Sequence, residues 1–168
     1  VERVIYSSTS SAYGLKNIPP LTEEMSNDCL NPYSVTKAAG EELCKMYYQM
    51  FDLQTVILRY FNVYGDRQPL KGQYAPVIGI FLRQVANNEP MTIVGDGKQR
   101  RDFTHVADVV RANWLAAISH NPNIFGATFN VGVGKNSRET LADISKIEKY
   151  LTWKPRIKLD QAIKWWRD

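Results

Sequence analysis

The sequence predicts an α/β fold built on a largely parallel sheet, and three observations carry that expectation. Apolar, β-rich runs recur at residues 4–6, 54–60, 91–94 and 127–131. Stretches of good helix formers stand between them, at residues 33–51, 75–87 and 107–119. Strands that alternate with helices of this length form parallel sheets, because a helical crossover returns the chain to lay its next strand in the same direction. A chain of 168 residues that is 44% hydrophobic can bury one substantial core or form one lobe of a larger fold.

In order along the chain, Val4-Ile5-Tyr6 is a short apolar run that gives way to Ser7-Ser8-Thr9-Ser10-Ser11, and reads as a buried strand ending in a polar turn. Residues 14–31 hold Pro19, Pro20 and several turn formers and are expected as loop. Pro32 suits a helix start, where its missing N–H is not needed, and residues 33–51 follow with Ala, Glu, Leu, Lys and Met. Residues 54–60 (QTVILRY) read as an interior strand and 65–72 as a polar loop. A helix over 75–87 leads to a strand over 91–94, closed by Gly95-Asp96-Gly97. Residues 101–106 form a short extended piece, 107–119 a helix and 127–131 a strand, with short helices expected at 145–151 and 159–166.

Several classes are disfavoured. No run of about 18 apolar residues appears, which argues against a membrane span. Residues 1–5 have neither the basic nor the apolar region of a signal peptide, and the start at Val1 suggests a piece of something longer. Cys29 and Cys44 form no metal spacing and no disulfide framework, so the expected setting is a reducing cytoplasm and no metal site is assigned. The net charge of +4 suits an anionic nucleotide ligand or simply a soluble surface. Lys and Arg are scattered rather than striped, so no nucleic-acid partner is expected.

The residues with the clearest chemistry are Tyr33-Ser34-Val35-Thr36-Lys37. A Tyr and a Lys four apart on a helix share a face, and an ammonium beside a phenol favours the phenolate, a usable general base. Upstream, the hydroxyl run Ser7 to Ser11 falls at the end of a strand, where ligands bind in open α/β sheets. A hydroxyl there can bond a reacting oxygen and relay its proton.

Ser7 to Gly14, Tyr33-x-x-x-Lys37, Arg59-Tyr60-Phe61-Asn62-Val63-Tyr64-Gly65, and Gly95-Asp96-Gly97 with Arg101-Asp102-Phe103 follow in one order. Together they resemble the extended short-chain dehydrogenase/reductase family, in its NAD-dependent epimerase/dehydratase branch, and most of all the UDP-sugar 4-epimerases. The resemblance implies a Rossmann-like parallel sheet with a small mixed α/β substrate-binding lobe. Residues 1–72 would be the C-terminal half of the NAD-binding domain with the catalytic helix. Residues 73–168 would be mostly the sugar-nucleotide lobe, with about 100–132 returning to the Rossmann domain.

The resemblance also assigns roles. Tyr33 matches the acid/base acting on the sugar 4-hydroxyl, Lys37 the lysine that binds the nicotinamide ribose, and Thr9 the catalytic Ser/Thr. Ser7, Ser8, Tyr60 and Phe61 fall at cofactor-binding positions. Ser10 and Ser11 would line the sugar pocket. Asn62 would bond the diphosphate or sugar, and Arg101 would grip the diphosphate, a task suited to a guanidinium's fork and permanent charge. Pro76, Val77, Thr92 and Val94 match segments around the uracil, and Thr140 matches a position that gates sugar size, where a small residue leaves room for an N-acetyl group. The implied reaction is NAD-dependent epimerisation at C4 through a 4-keto sugar. Dehydratases, decarboxylases and other epimerases of the branch remain alternatives, as does a non-catalytic nucleotide-binding relative or inactive fragment. Many of the dehydratases and decarboxylases carry a carboxylate in the hydroxyl run; Ser10 and Ser11 stand there instead, which favours an epimerase. A homodimer is expected through the Tyr33 helix, with Met46, Tyr47, Met50 and Phe51 available to it.

Two departures stand out. No Gly-rich dinucleotide turn occurs, and Gly132-Val133-Gly134-Lys135 lacks P-loop spacing because Phe129 stands where the first Gly belongs. Roughly a hundred residues of dinucleotide fold are therefore expected before Val1. A second gap is expected between Ser137 and Arg138, where the family places a helix, a strand and a phosphate-binding arginine. A chain as short as this one would bind NAD poorly.

Overall fold

The computed structural model describes residues 1–72, 75–134 and 140–165. Its regular elements run β1 (Arg3–Thr9), α1 (Pro32–Phe51), β2 (Gln54–Tyr60), β3 (Val63–Tyr64), α2 (Val77–Ala86), β4 (Thr104–His105), α3 (Val106–Ile118), β5 (Ala127–Val131), α4 (Ser145–Leu151) and α5 (Leu159–Trp165), with short 3-10 turns at Ser10–Tyr13 and Pro122–Ile124. β1, β2 and β5 form a parallel sheet in that order, with β2 in the middle. The expected parallel α/β fold is therefore present. β3 and β4 make a second, two-stranded parallel ladder.

Strand alternation explains how the layers sort. Successive side chains point to opposite faces. On β2, Val56 and Leu58 join Val109, Ala112 and Ala116 of α3 and Ile147 and Leu151 of α4 in the main core. Thr55 and Arg59 turn the other way and bond to α1: the Thr55 hydroxyl donates to the Cys44 carbonyl at 2.9 Å, and Arg59 pairs with Glu41. The sheet is thus sandwiched between α1 on one face and α3 with α4 on the other. Burying each of Val56, Ile57 and Leu58 contributes ~1.5–3 kcal/mol.

Helix α1 starts where the sequence says it should. Asn31 accepts from Ser34 N at 2.9 Å, the Ser34 hydroxyl returns the contact to Asn31 N at 3.3 Å, and Pro32 opens the first turn. The helix stops at Asp52, in the left-handed region at φ 55°. Gly40 lets it lie close to the sheet, since a methyl there would land on the Tyr6 hydroxyl. The Glu41–Arg59 pair is almost wholly buried, with Oε2 2.6 Å from Nη2 and Oε1 2.9 Å from Nε. Burial opposes the guanidinium's charge, but the bonds to Glu41 outweigh it and hold Arg59 protonated.

The loop over residues 14–31 is fixed from a distance. Leu21 bridges the 141–143 segment, donating to Leu141 O at 2.7 Å and accepting from Asp143 N at 2.9 Å. Tyr13, fully buried, donates to Asn130 Oδ1 at 2.7 Å and lies under the Arg59 guanidinium at 4.7 Å. At the other end, Asp108 of α3 binds the chain after α4: it accepts from Arg156 N and Ile157 N at 2.9 Å each, and its carbonyl accepts from Trp153 Nε1 at 2.9 Å.

Three expectations need correction. β1 runs on through Ser7–Thr9, because those residues pair in register with Leu58–Tyr60; the hydroxyl run is strand before it is turn. Residues 91–94 form no strand. Met91, Ile93 and Val94 are exposed, and a strand signal that no strand among the described residues pairs with stays irregular. α2 begins at Val77 rather than 75, with Pro76 extended at its start. α5 is described to Trp165; the expected end at Trp166 lies outside the described residues. No helix among the described residues is long and apolar enough to cross a membrane.

Burial pushes the Tyr13 phenol from 10.0 up to about 12, partly offset by Arg59. A raised phenol value in the fold gives stability that is complete below pH 10 and is lost as pH rises toward 12. The thermal midpoint should fall steeply across that window. Tyr13→Phe should start lower at pH 8, by ~1–2 kcal/mol for the acceptor stranded on Asn130, yet fall less steeply above pH 10; thermal scans of both proteins against pH check this.

Candidate functional site

The C-terminal ends of β1 and β2 and the first turns of α1 meet in one place. Lys37 Nζ donates to the Ser7 carbonyl at 2.9 Å and lies 5.2 Å from the centre of the Tyr6 ring. Tyr33 sits one helical turn earlier on the same face, about half exposed. The Tyr60 hydroxyl donates to Asn113 Oδ1 at 3.0 Å. An amide oxygen only accepts, so the 3.0 Å contact between Ser7 Oγ and Tyr60 Oη must run with Ser7 as donor. Thr9 is buried and caps the turn that follows, accepting from Ser11 N at 3.1 Å. Ser8 is buried too and donates to Glu41 Oε1. Ser10 is half-buried and Ser11 exposed at the start of the turn.

The other residues singled out from the sequence scatter around this centre. Phe61 is fully buried and stacks at 6.1 Å on Tyr13, so its side chain is core. Asn62 takes a left-handed backbone, φ 31°, and donates from Nδ2 to Asp102 O at 3.0 Å. Pro76 lines a cleft of about 410 Å³ with Val63, Tyr64, Arg67, Gln68 and Val106, while Val77 is exposed. The Thr92 hydroxyl accepts from Gln84 Nε2 at 2.8 Å, and Val94 is exposed. Arg101 is exposed. Lys135 and the gap between Ser137 and Arg138 lie outside the described residues. Among the described residues, no group of three or more His, Cys, Asp or Glu could hold a metal ion.

Asp102, passed over in the sequence in favour of its neighbour Arg101, is a structural hub. It is buried, and its carboxylate accepts from Val133 N at 2.8 Å, Gly134 N at 3.0 Å and Ala142 N at 3.2 Å. Its own N–H donates to the Thr140 hydroxyl at 3.1 Å. Burial pushes the carboxyl up, and the three N–H donors pull it back. One aspartate therefore ties Asn62, Thr140 and the 133–134 loop to the segment that carries Arg101. Gly132 allows the approach, since a methyl there would stand 3.0 Å from Asp102 Oδ2. Glu41 and Arg59 were missed as well. Their signal was an arginine in the apolar strand 54–60, which calls for a buried partner.

Against known proteins, the sequence pattern of the NAD dependent epimerase/dehydratase family matches residues 1–132. The uncharacterized UDP-glucose epimerase YtcB of Bacillus subtilis is 40% identical over 88% of this chain and 44% of its own length. A UDP-N-acetylglucosamine 4-epimerase from Methanobrevibacter ruminantium, solved in complex with UDP-N-acetylmuramic acid, superposes with TM-score 0.88 at 31% identity, over 99% of this chain and 63% of that one. A UDP-glucuronic acid 4-epimerase from Bacillus cereus, solved with UDP-glucuronic acid and NAD, gives 0.85 at 33% identity, over 97% and 59%. The chain spans between 44% and 61% of the length of the first two curated relatives it matches.

Replacing Asp102 with alanine should cost about 3 kcal/mol, because three backbone N–H groups lose their acceptor together. Chemical denaturation of the variant reads this directly; a change under about 0.5 kcal/mol would show that water takes over the carboxylate's place.

Proposed function

The chain belongs to the NAD-dependent epimerase/dehydratase family, and from that premise we propose that it interconverts a UDP-sugar and its C4 epimer. The observation that carries this reading is the Lys37 ammonium, bonded to the Ser7 carbonyl at the end of β1, with Tyr33 one turn away on the same helix face. The cofactor is NAD. The Lys37 ammonium has protons beyond the one it gives to Ser7 O, which suits the hydroxyls of a ribose, while the Ser7 and Tyr60 hydroxyls, their protons committed on the α3 side of the sheet, would offer acceptor lone pairs. Phe61 would contribute through its backbone, and Ser8 through the strand it fixes. When bound, NAD supplies a reversible store for one hydride.

The chain's own residues then do the rest. Tyr33 takes the proton of the C4 hydroxyl as the C4–H bond breaks, leaving a 4-keto sugar. Lys37 stabilises the phenolate and holds the ribose. The Thr9 hydroxyl accepts from Ser11 N and keeps its own proton to donate to the sugar oxygen. After the keto sugar turns, Tyr33 returns the proton and C4 regains its hydrogen on the opposite face. Ser10 and Ser11 line the sugar, Asn62 and Arg101 hold the diphosphate, and Pro76, Val77, Thr92 and Val94 surround the uracil. Residues 1–72 form the catalytic half of the cofactor domain, and 73–168 mostly the sugar-nucleotide lobe, with about 100–132 returning to the first. The exposed Tyr47, Met50 and Phe51 of α1, with Met46 beside them, support a homodimer through that helix. Within the family, the run Ser7 to Ser11 holds no carboxylate, which favours epimerisation over dehydration or decarboxylation.

Tyr33→Phe in the full-length protein should lower turnover by roughly 10²–10⁴-fold while UDP-sugar binding persists; a variant with wild-type turnover sinks the assignment. Thr140 is small and half-buried, which supports a pocket with room for an N-acetyl group. UDP-N-acetylgalactosamine should therefore turn over within about tenfold of UDP-galactose in a coupled assay, a margin of about 1.4 kcal/mol in the barrier. Undetectable N-acetyl activity would remove this substrate from the proposal.

A further inference from the structure

We infer that Glu41, outside the reacting centre, is a positioning residue that sets where Lys37 and Tyr33 stand relative to the ends of β1 and β2. The inference rests on the reading of Tyr33 as acid/base with Lys37 as its partner. Residues 33, 37 and 41 follow at intervals of four on α1 and so form one file down a single helix face. Glu41 is fully buried, and its carboxylate reaches both strands at once. Oε1 accepts from the Ser8 hydroxyl of β1 and from Arg59 Nε of β2 at 2.9 Å, and Oε2 accepts from Arg59 Nη2 at 2.6 Å. One turn earlier, Lys37 Nζ holds the carbonyl of Ser7, the residue next to Ser8. These two hydrogen bonds from the helix to β1 are therefore one residue apart on the strand and one turn apart on the helix.

A buried ion pair is a poor way to gain stability alone, because stripping water from two charges costs about as much as their attraction returns. What such a pair does well is exclude other registers. If α1 slid or rolled, the Glu41 charge would leave its fork and lie uncompensated among Cys44 and Tyr6, both of which it already pushes up in addition to their burial. The charged and titratable groups packed around the file are Tyr6 from β1, Arg59 from β2, Tyr13 from the following turn, and Lys37 and Cys44 on α1 itself. Arg59 alone among them offers Glu41 a matched two-pronged partner.

The test uses the full-length enzyme carrying Glu41→Gln, which keeps the side chain's size but removes the charge that fixes the fork. The expected result is a kcat lower by roughly 10–100-fold with KM for the UDP-sugar within about twofold, since geometry rather than binding is lost. Adding Glu41→Gln to Lys37→Met should cost clearly less than Glu41→Gln costs alone, because the part of its effect that runs through the Lys37 ammonium is already gone. A crystal structure of the variant gives a readout independent of turnover: Lys37 Nζ should move out of hydrogen-bond reach of Ser7 O, beyond about 3.5 Å. Ser8→Ala, which deletes one hydroxyl, should shift kcat the same way by a smaller factor and serves if Glu41→Gln does not fold. A folded Glu41→Gln with wild-type kcat and the Lys37 contact intact, or fully additive losses with Lys37→Met, overturns the inference. So does an unaltered Ser8→Ala when Glu41→Gln fails to fold. Wild-type turnover in Tyr33→Phe would instead defeat the reading of the site itself, whatever Glu41 does.

Discussion

A carboxylate with no access to water must be met by a cation or by several N–H groups, and this fold is arranged around meeting that demand. Glu41 sits in the middle of the longest helix and faces the sheet. Its charge has a single suitable address, the Arg59 guanidinium on the central strand, and the Ser8 hydroxyl adds a third donor. Once that contact is made, helix α1 has one position along β1 and β2. The Lys37 bond to Ser7 then follows from helix periodicity, and Tyr33 is carried to the same end of the sheet. Arg59 passes the constraint on, since its far face covers Tyr13, and Tyr13 bonds Asn130 of β5. The three strands are linked across the α1 face by side chains as well as by their ladders.

Asp102 solves the same problem differently. Its carboxylate collects three backbone N–H groups instead of a guanidinium fork. Backbone donors cannot move independently of the chain, so the aspartate fixes loops where Glu41 fixes a helix. Asn62 is joined to it through its carbonyl and Thr140 through its N–H. Residues assigned to the diphosphate and to the sugar gate therefore share a single anchor. The proposed chemistry at the strand ends and the proposed recognition beyond them would each be held by one inward-facing carboxylate.

Much of the architecture was legible in the sequence. The runs at 54–60 and 127–131 became β2 and β5 with those bounds, and Pro32 marked the start of α1. Local signals sufficed there because propensity, capping and burial agree. At residues 91–94 they did not: Met, Thr, Ile and Val have the strand's composition, but pairing is a property of neighbours, and no strand among the described residues pairs with them. The hydroxyl run misled in the opposite sense. Polar residues suggested a turn, yet pairing with Leu58–Tyr60 extends the strand through Thr9. In the site, the Tyr33–Lys37 spacing was readable because a helix converts four residues into one face. The Asp102 hub was not, because its donors at 133, 134 and 142 are distant in sequence and are backbone groups, which leave no trace in residue identity.

The bridge between Leu21 and the 141–143 segment has a consequence for how the chain reaches this state. β1, α1 and β2 are contiguous and can assemble early around the Glu41 pair, whereas the loop over 14–31 finds its backbone partners, and the amide of Asn130, only after more than a hundred further residues have been made. Closing so long an interval is entropically slow. During synthesis helix α1 would already be docked while the loop beside it was still searching. The wall next to Tyr13 then becomes native late, so chaperones and proteases would meet a sheet with one unsewn side.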